Sequence, residues 1–480
     1  MQKKFIVNLV FLLLLNLLVK PFYILGIDAE ILNRVGPESY GNYFAIINFT
    51  FLLNIFLDLG ITNFNTKNIA QNQQLMGKHL SKVLSLKLLL SLFYILITLG
   101  LGFWWGFRSE ELHILSFLAL NQSIVAVILY LRSNLSGLHM FKQDSLISIL
   151  DRLLLIIICS ALLWGGVTDQ AFQIEWFVYA QTFSYLVTAI VTFLLLRTKA
   201  EKLKFSFSKV FSLMILKQSY PYALLVLLMS FYFRSDSVML EKMLDDGAEQ
   251  AGYYAQGYRF FEAANMIGYL FAALLLPLFS NMLKKKESVD ELVMLAFKLI
   301  FSGSLILCLA CVFFNEDIIS WKYADIHPYS AVTFSVLMMC FVCVTSTYIF
   351  GTLLTANGNL KALNIMALAA VFVNVGLNLL LIPKYLALGS AVASLITQLF
   401  VTIAQIVLCK HYLNLKLPFI QLFQIVGFSA VLYTMGYFGQ SYFEAWGLNL
   451  VFFVTIGLLW AMGTKMISIP GLYRIIKYDR

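Results

Sequence analysis

Residues 194–217 read LLLRTKAEKLKFSFSKVFSLMILK, a basic segment between two long apolar regions. Six apolar stretches of membrane-spanning length precede this segment and eight follow it. About 20 mostly apolar residues are needed to cross roughly 30 Å of hydrocarbon as a helix. Between the stretches the segment holds one acid, Glu201, against the bases Arg197, Lys199, Lys202, Lys204, Lys209 and Lys217. It therefore predicts a cytoplasmic linker that divides a membrane protein into two parts.

The composition of the whole chain is typical of a polytopic membrane protein. Its 480 residues are 60% hydrophobic and only 12% charged, and the mean hydropathy is +0.83. Helices are the expected spanning elements because they satisfy their backbone polar groups internally, where lipid offers no partner. We predict an all-α integral membrane protein of about 14 transmembrane helices. The spans are expected at 5–24, 42–61, 83–106, 114–133, 145–164, 176–196, 218–236, 254–280, 292–314, 330–355, 362–382, 387–409, 419–438 and 446–464.

The distribution of basic residues predicts the orientation of the chain. Lys and Arg are enriched in cytoplasmic loops of membrane proteins. With the N-terminus inside, most of the 34 Lys and Arg fall on the cytoplasmic side. The opposite loops then hold only Arg34, Arg108, Arg234, Lys242, Lys322 and Lys384. Both termini are therefore predicted to be cytoplasmic.

A related sequence pattern follows the start of each half. It reads IDAEILNRVGPESYGNYFAIINF from Ile27 and SDSVMLEKMLDDGAEQAGYYAQGYRF from Ser235. The pattern aligns Asp28 with Asp236, and Gly41 with Gly252 if the second copy has three extra residues. In each copy we expect a helix to end at the acidic residue and a polar turn to lead into the next span. A repeat of six helices has even parity, which predicts two parallel repeats.

The repeat and the linker together predict the domain organisation. We expect an N-terminal six-helix bundle at 1–200 and a basic cytoplasmic linker at 201–217. A C-terminal six-helix bundle is expected at 218–412. Residues 413–480 are expected to hold accessory helices 13 and 14 and a cytoplasmic tail.

Several classes of function are disfavoured by what the sequence contains. It has no GxxxxGK[ST] run, the motif that binds nucleotide phosphates in ATP-driven pumps. The six cysteines fall inside apolar helices, and the five histidines have no second ligand at metal spacing. The net charge of +9 is spread over many short loops, which argues against nucleic acid as a partner. We expect no enzymatic activity, catalytic residue, cofactor or metal.

Charged residues within or at the edge of the spans are the candidate functional groups. A charge at the bilayer centre costs about 2.5 to 3.5 kcal/mol on translocon scales, so its presence needs a reason. Cavity cations that bind an anionic substrate are expected at Lys20, Arg259 and Arg234. For Lys20 the alternative is snorkelling to the outer interface, and for Arg234 and Asp236 it is capping of the seventh helix. Coupling or charge balance is expected at Glu262, Asp236 and Asp58, although Asp58 fits a helix-end or gate role better than proton coupling.

Other polar groups in the spans favour structural roles. Asp151 and Arg152 are expected on the first turns of the fifth helix, and one of them is expected to pair with Arg132 or Lys142 nearby. Lys87 and Lys298 are expected to snorkel from cytoplasmic helix ends. The amides are expected to hydrogen-bond between helices; they are Asn8, Asn16, Asn54, Asn265, Asn374, Asn378, Gln398 and Gln405.

Three stretches resemble the polysaccharide flippases of the multidrug/oligosaccharidyl-lipid/polysaccharide exporter superfamily, in particular the O-antigen branch. They are VGPESYGNYFAIINF from Val35, LDLGITNFNTKNIA from Leu57 and SDSVMLEKMLDDGAEQAGYYAQGYRFFE from Ser235. The resemblance implies two bundles around a cationic cavity that opens alternately to each side. It implies cavity cations on the first and eighth helices, which correspond to Lys20 and Arg259. The implied substrate is a glycan on undecaprenyl pyrophosphate, moved from the cytoplasmic to the periplasmic leaflet and coupled to H+ or Na+. The resemblance also implies a location in the bacterial inner (cytoplasmic) membrane.

Two other functions stay open at this point. A drug/cation antiporter of the same superfamily favours an acidic cavity, whereas the intramembrane charges here are more basic than acidic. A membrane glycan polymerase or ligase favours a long periplasmic loop with catalytic Arg or His, and the sequence offers only short loops. Membrane lipids and the coupling ion are the further partners expected.

Overall fold

The computed structural model describes residues 15–62, 65, 69, 76–138, 140–167, 169–197, 209–415, 419–440 and 442–467. The start of the first predicted span, the centre of the basic linker and the C-terminal tail lie outside the described residues. Within the described part of the chain the regular elements are helices. The chain divides into two compact units, Met1–Gly252 (unit 1) and Tyr253–Arg480 (unit 2).

The first helix changes its hydrogen-bond pattern in the middle. An α-helix over residues 15–22 continues as a π-helix, Tyr23–Asp28. There the Ala29 N–H donates to the Ile24 carbonyl, five residues back. π-Helical turns are rare and are found frequently at functional sites. This one begins three residues after Lys20 and ends at Asp28.

A single glycine separates the first helix from the second. The helical run Ala29–Leu52 is broken at Gly36 (φ 81°, ψ 163°), a conformation that only glycine adopts without strain. Pro37 follows and starts the next helix, as proline does well at a first helical position. We number residues 15–35 as α1 and residues 37–52 as α2. A short helix, Ile55–Asp58, follows α2 and ends at Leu59 in the left-handed conformation.

Five further long helices of unit 1 follow in the chain. They are α3 (Met76–Trp104), α4 (Ser109–Gly137), α5 (Phe141–Trp164), α6 (Ile174–Arg197) and α7 (Lys209–Met243). The helix α4 packs against α3 and α6, and α5 packs against α6. The helix α7 packs along the stretch Ala29–Leu52. The last part of the predicted basic linker, 209–217, is thus the helical start of α7.

Unit 2 contains most of α8 and all later helices. The long ones are α8 (Gly247–Lys284), α9 (Asp290–Phe313), α10 (Ser330–Ala356), α11 (360–385), α12 (387–413), α13 (Phe419–Gly439) and α14 (Trp446–Gly463). A short helix, Asn315–Lys322, follows α9. The helices α11 and α12 meet without a loop at Leu386 (φ 53°, ψ −135°). The accessory pair α13 and α14 packs against α9.

The predicted fold class is confirmed. Ten helices among the described residues are long and apolar enough to span a membrane, and one of these, Leu360–Leu413, comprises both α11 and α12. The chain is therefore a multi-pass, all-helical membrane protein.

Three predicted helix boundaries are wrong, and each error has a physical reason. The first helix does not end near Ile24 but continues through Asp28, because Asp28 is satisfied by a hydrogen bond from the Tyr40 hydroxyl (2.7 Å). The seventh helix does not end at Arg234 and Asp236 but runs on to Met243. The second helix ends at Leu52, not at Ile61, and gives way to the short helix. Hydropathy places a boundary where charge appears, and buried partners allow a helix to continue past the charge.

The two glycines that the sequence repeat aligns lie against each other in unit 1. A Cβ added to Gly41 would be 1.8 Å from the Ala248 carbonyl oxygen and 2.5 Å from the Gly252 nitrogen. A Cβ added to Gly252 would be 2.1 Å from the Pro37 carbonyl oxygen. The starts of α2 and α8 therefore touch backbone to backbone, a close approach that small residues permit between membrane helices. Any side chain at either glycine forces these helix starts apart.

We predict that Gly41→Ala and Gly252→Ala each destabilise the protein by about 1 to 3 kcal/mol, the usual cost of overpacking. Gly100→Ala in α3 is the matched control, because a Cβ there meets nothing within 4 Å. Thermal unfolding of the purified protein in detergent measures the effect. Equal midpoints for Gly41→Ala and Gly100→Ala would show that the close approach is not needed for stability.

Candidate functional site

Lys20 lies deep in α1, not near its outer end. The helix continues for about four turns beyond Lys20 before the break at Gly36. Its half-buried ammonium group is within electrostatic range of Arg152, Arg132 and Asp151 of the same unit. Snorkelling to the outer interface is therefore disfavoured, since the side chain would have to reach across those turns.

Arg259 of α8 is buried and forms an ion pair within its own helix. Its side chain is only 9% exposed, and its Nη1 lies 2.6 Å from Glu262 Oε2. Residues three apart share a helix face, so α8 itself holds the pair together. Glu262 is the more exposed partner, at 29%. The pair places a positive and a negative group on one face of a membrane helix in unit 2.

Arg234 and Asp236 lie inside α7, about two turns before its end. Arg234 Nη1 donates to Asn48 Oδ1 (3.1 Å), and its guanidinium stacks over the Phe51 ring, 4.7 Å from the centroid. The cation thus joins α7 to α2. Asp236 is 2% exposed, as is its repeat counterpart Asp28 in α1. Capping of the seventh helix is excluded for both residues, because the helix continues beyond them.

Asp58 ends the short helix Ile55–Asp58 and is the partner of a buried lysine. Lys87 of α3 is fully buried; its Nζ donates to Asp58 Oδ1 in a short contact and to the Leu57 carbonyl (2.9 Å). Asp58 Oδ1 also accepts from the Thr62 backbone N–H (3.2 Å). The expectation that Lys87 snorkels to a helix end is wrong, since the lysine points into the protein and finds a carboxylate there.

Lys298 docks the accessory helices and does not snorkel. Its Nζ donates to Gln424 Oε1 (2.7 Å) of α13, and Gln424 Nε2 donates to the Thr464 carbonyl (2.7 Å) after α14. The helices α9 and α13 and the end of α14 are thereby joined through one chain of hydrogen bonds.

Buried amides brace the corner between α11 and α12. Asn378 Nδ2 donates to Asn374 Oδ1 (3.2 Å), and Ser390 Oγ donates to Asn378 Oδ1 (3.0 Å). All three residues are fully buried. The chain of hydrogen bonds links one helix to the next across the break at Leu386.

The position of Arg152 along its helix was predicted wrongly from the sequence, which gave this residue a structural role. It lies near the midpoint of α5, not on its first turns, because α5 begins at Phe141. Its guanidinium stacks over the rings of Tyr23 and Tyr185, at 4.7 Å and 5.8 Å from their centroids. The sequence signal that pointed to it was the charge pair Asp151–Arg152 within an apolar span; the tyrosines come from helices distant in sequence.

Of the predicted site residues, the structure brings together Arg259 with Glu262. It pairs Asp58 with Lys87 and Arg234 with Asn48, and a hydrogen bond from Asn16 to Ser148 joins the helices that carry Lys20 and Arg152. The described residues contain no group of three His, Cys, Asp or Glu side chains that would hold a metal ion. The arrangement thus places buried or half-buried cations in both units, with acids close to them.

Residues 7–283 match the family model described as polysaccharide biosynthesis protein, over more than half of the chain. The chain belongs to this family. It is 24% identical over 384 residues to an uncharacterized membrane protein of Methanocaldococcus jannaschii, which covers 76% of this chain and 89% of the archaeal protein.

Solved structures share the fold at low sequence identity. An inward closed structure of the lipid II flippase MurJ has a TM-score of 0.72 at 16% identity and covers 98% of this chain and 99% of its own. An outward-facing multidrug resistance MATE family transporter of the MOP superfamily has a TM-score of 0.60 at 16% identity, with 85% and 95% covered. A MOP superfamily transporter from Pyrococcus furiosus gives 0.59 at 16% identity, with 84% and 93% covered. This family member therefore shares the fold of these solved structures.

We predict an asymmetry between the partners of the buried pair Asp58–Lys87. Asp58→Ala leaves a fully buried ammonium without its carboxylate, and breaking a buried pair in this way costs about 3 to 5 kcal/mol. Lys87→Met leaves Asp58, whose side chain is 35% exposed, and is expected to cost less. The double variant should recover part of the stability lost in Asp58→Ala. Thermal unfolding in detergent compares the three; a larger loss for Lys87→Met than for Asp58→Ala would contradict the asymmetry.

Proposed function

We propose that this chain is a flippase for a lipid-linked oligosaccharide. It moves an undecaprenyl-pyrophosphate-linked repeat unit of O-antigen or another surface polysaccharide from the cytoplasmic to the periplasmic leaflet. The transport is by alternating access in the bacterial inner membrane, with both termini cytoplasmic and with H+ or Na+ as the coupling ion. The six-helix groups at 1–200 and 218–412, the linker at 201–217 and the accessory region at 413–480 remain part of this proposal.

The observation that carries the proposal is a buried arginine in a membrane helix of a polysaccharide biosynthesis protein. Arg259 is only 7% exposed in α8, where hydrocarbon would reject it. A diphosphate is the part of a lipid-linked glycan that needs cations, and Arg and Lys supply them through charge-assisted hydrogen bonds. Lys20 and Arg234 are the further cations proposed to contact it. The family match and the fold shared with a lipid II flippase also support this proposed function.

The coupling step is proposed to use the acid beside the arginine. An anion that engages Arg259 competes with Glu262 for the same guanidinium. A carboxylate that loses its cation in a low-dielectric site favours uptake of a proton or another cation. Anion binding at Arg259 and cation uptake at Glu262 would then be linked. Asp236 and Asp58 are the other proposed groups for coupling or charge balance.

We predict that Arg259→Ala and Lys20→Ala each reduce surface glycan at least about tenfold, since a charge-assisted hydrogen bond contributes roughly 1.5 to 3 kcal/mol. The protein should remain in the membrane at its normal level. Complementation of a deletion strain, with glycan and membrane protein quantified side by side, measures both. Normal glycan in both variants would overturn the assignment of these cations to the substrate.

A charge swap separates substrate binding from a purely structural ion pair. The double variant Arg259→Glu with Glu262→Arg keeps an i, i+3 pair on the same helix face but moves the cation by nearly one turn. We expect it to restore thermal stability and not surface glycan. Recovery of glycan along with stability would show that Arg259 serves only to neutralise Glu262.

The location of the accumulated substrate distinguishes a flippase from its alternatives. In the deletion strain we expect lipid-linked glycan to accumulate in the cytoplasmic leaflet, as measured by its inaccessibility to a glycan-modifying enzyme added from outside. The fold is also shared with multidrug resistance transporters, and drug sensitivity with intact glycan would favour such an antiporter. Short glycans that are already translocated would favour a polymerase or ligase.

We further predict that Glu262→Gln keeps substrate binding and loses the dependence of transport on an ion gradient, because the amide cannot take up a proton. Transport into vesicles with and without an imposed H+ or Na+ gradient tests this. Gradient dependence equal to that of the unchanged protein would exclude Glu262 as the coupling group.

A further inference from the structure

A hydrogen bond between α1 and α5 sets the register of these two helices. Asn16 Nδ2 donates to Ser148 Oγ (3.0 Å), and both residues are buried. Lys20 follows Asn16 by four residues, and Arg152 follows Ser148 by four residues. Residues four apart lie on the same helix face, one turn further along. Both helices therefore present a cation to the same side of unit 1.

Two tyrosines fix the orientation of the Arg152 guanidinium. Tyr23 belongs to the π-helical part of α1 and Tyr185 to α6, and both are buried. The guanidinium carbon lies 4.7 Å and 5.8 Å from the two ring centroids. A guanidinium on an aromatic face keeps its N–H donors in the plane of the group, the geometry used for bidentate phosphate recognition. The packing thus holds the arginine in a defined orientation before any ligand arrives.

The two arginines of this region differ in how closely an acid pairs with them. Arg132 Nε lies 2.7 Å from Asp144 Oδ1, and Ser136 Oγ donates to Asp144 Oδ2 (2.8 Å). Both oxygens of Asp144 are therefore engaged by residues of α4. Asp151 is 3.7 Å from Arg152 Nε, a looser contact. Lys20 lies within electrostatic range of Arg152, Asp151 and Arg132.

We propose that Lys20 and Arg152 together bind one phosphate group of a lipid diphosphate, in a site within unit 1 that Tyr23 and Tyr185 position. The identity of the ligand rests on the proposed function. An anion between two cations is attracted to both of them. The lysine supplies a single charged group, and the arginine adds a planar set of N–H donors that can bind a phosphate with two hydrogen bonds. Arg132 belongs to the same electrostatic region but is committed to Asp144.

The depth of Arg152 favours a carried diphosphate over a lipid headgroup. The helix α5 runs from Phe141 to Trp164, so Arg152 is about 16 Å from its start and about 18 Å from its end at roughly 1.5 Å per residue. Headgroups of the bilayer lie at the helix ends, roughly 15 Å from the centre of the hydrocarbon. A phosphate reaches Arg152 only if it leaves the headgroup region, as the diphosphate of a translocated lipid must.

Binding of farnesyl diphosphate to the full-length protein tests the site. The protein is reconstituted in phosphatidylcholine nanodiscs and titrated by calorimetry, with Lys20→Gln, Arg152→Gln and the double variant in parallel. Each single variant is expected to bind about tenfold more weakly or worse, the loss of one charge-assisted hydrogen bond. The double variant should lose less than the product of the two single effects, because both residues contact one phosphate.

Three further variants serve as controls for this test. Arg34→Gln is the matched control, because Arg34 is an exposed arginine of α1 paired with Glu30 at 3.0 Å, and it should bind normally. Arg152→Lys keeps the positive charge but loses the planar guanidinium with its paired N–H donors. It should therefore fold and bind with intermediate affinity even if Arg152→Gln does not fold. Arg132→Gln should weaken binding less than Arg152→Gln.

Three results would overturn the proposal. The first is an Arg152→Lys or Arg152→Gln variant that binds farnesyl diphosphate as tightly as the unchanged protein. The second is a double variant whose loss equals the product of the single losses, which would mean separate anions. The third is displacement of the diphosphate by an equal concentration of phosphatidylglycerol, which would identify a lipid headgroup site. If the binding behaves as expected but the deletion strain accumulates no glycan in the cytoplasmic leaflet, the site stands and the proposed function fails.

Discussion

The low dielectric of the membrane interior is the constraint on which the rest of this structure depends. A charge in such a medium must be paired and hydrogen-bonded or it destabilises the fold. Lys87 meets this requirement through Asp58 and the Leu57 carbonyl, although its own helix supplies neither partner. Arg132 meets it through Asp144, and Arg234 through Asn48 and the face of Phe51. Each of these contacts joins two segments of the chain. The need of a buried charge for an ion pair or hydrogen bond therefore also influences which helices pack together.

The same constraint shapes the backbone. Helices run past their charged residues, as α1 does at Asp28 and α7 does at Asp236, because internal hydrogen bonding leaves fewer polar groups exposed than a loop would. Where direction must change, it does so in one residue, at Gly36 or at Leu386. The buried chain from Asn374 through Asn378 to Ser390 then supplies polar contacts across the second break. Short breaks between long helices therefore change the direction of the chain while leaving few backbone polar groups without a hydrogen bond.

The sequence predicted the positions of the long helices well, but not which residues contact the charged side chains. Hydropathy located the long helices because burial in lipid is a property of each segment by itself. It misplaced the ends of α1 and α7 because their charged residues are satisfied by contacts distant in sequence, such as Tyr40 with Asp28. The pair Arg259–Glu262 was predictable, since both residues lie three apart on one helix. The stacking of Arg152 between Tyr23 and Tyr185 was not, since it depends on how three helices pack.

The repeat and the charges together suggest how two similar halves perform different tasks. The acids Asp28 and Asp236 and the glycines Gly41 and Gly252 recur in both copies of the pattern, which is what a shared architecture requires. The intramembrane cations do not follow the repeat. On the proposed function, an anion in unit 2 competes with Glu262 for Arg259, and its binding releases the carboxylate. On the same proposal, an anion in unit 1 lies between Lys20 and Arg152, where it neutralises two like charges. The first unit would then bind the diphosphate, and the second would link anion binding at Arg259 to uptake of a cation.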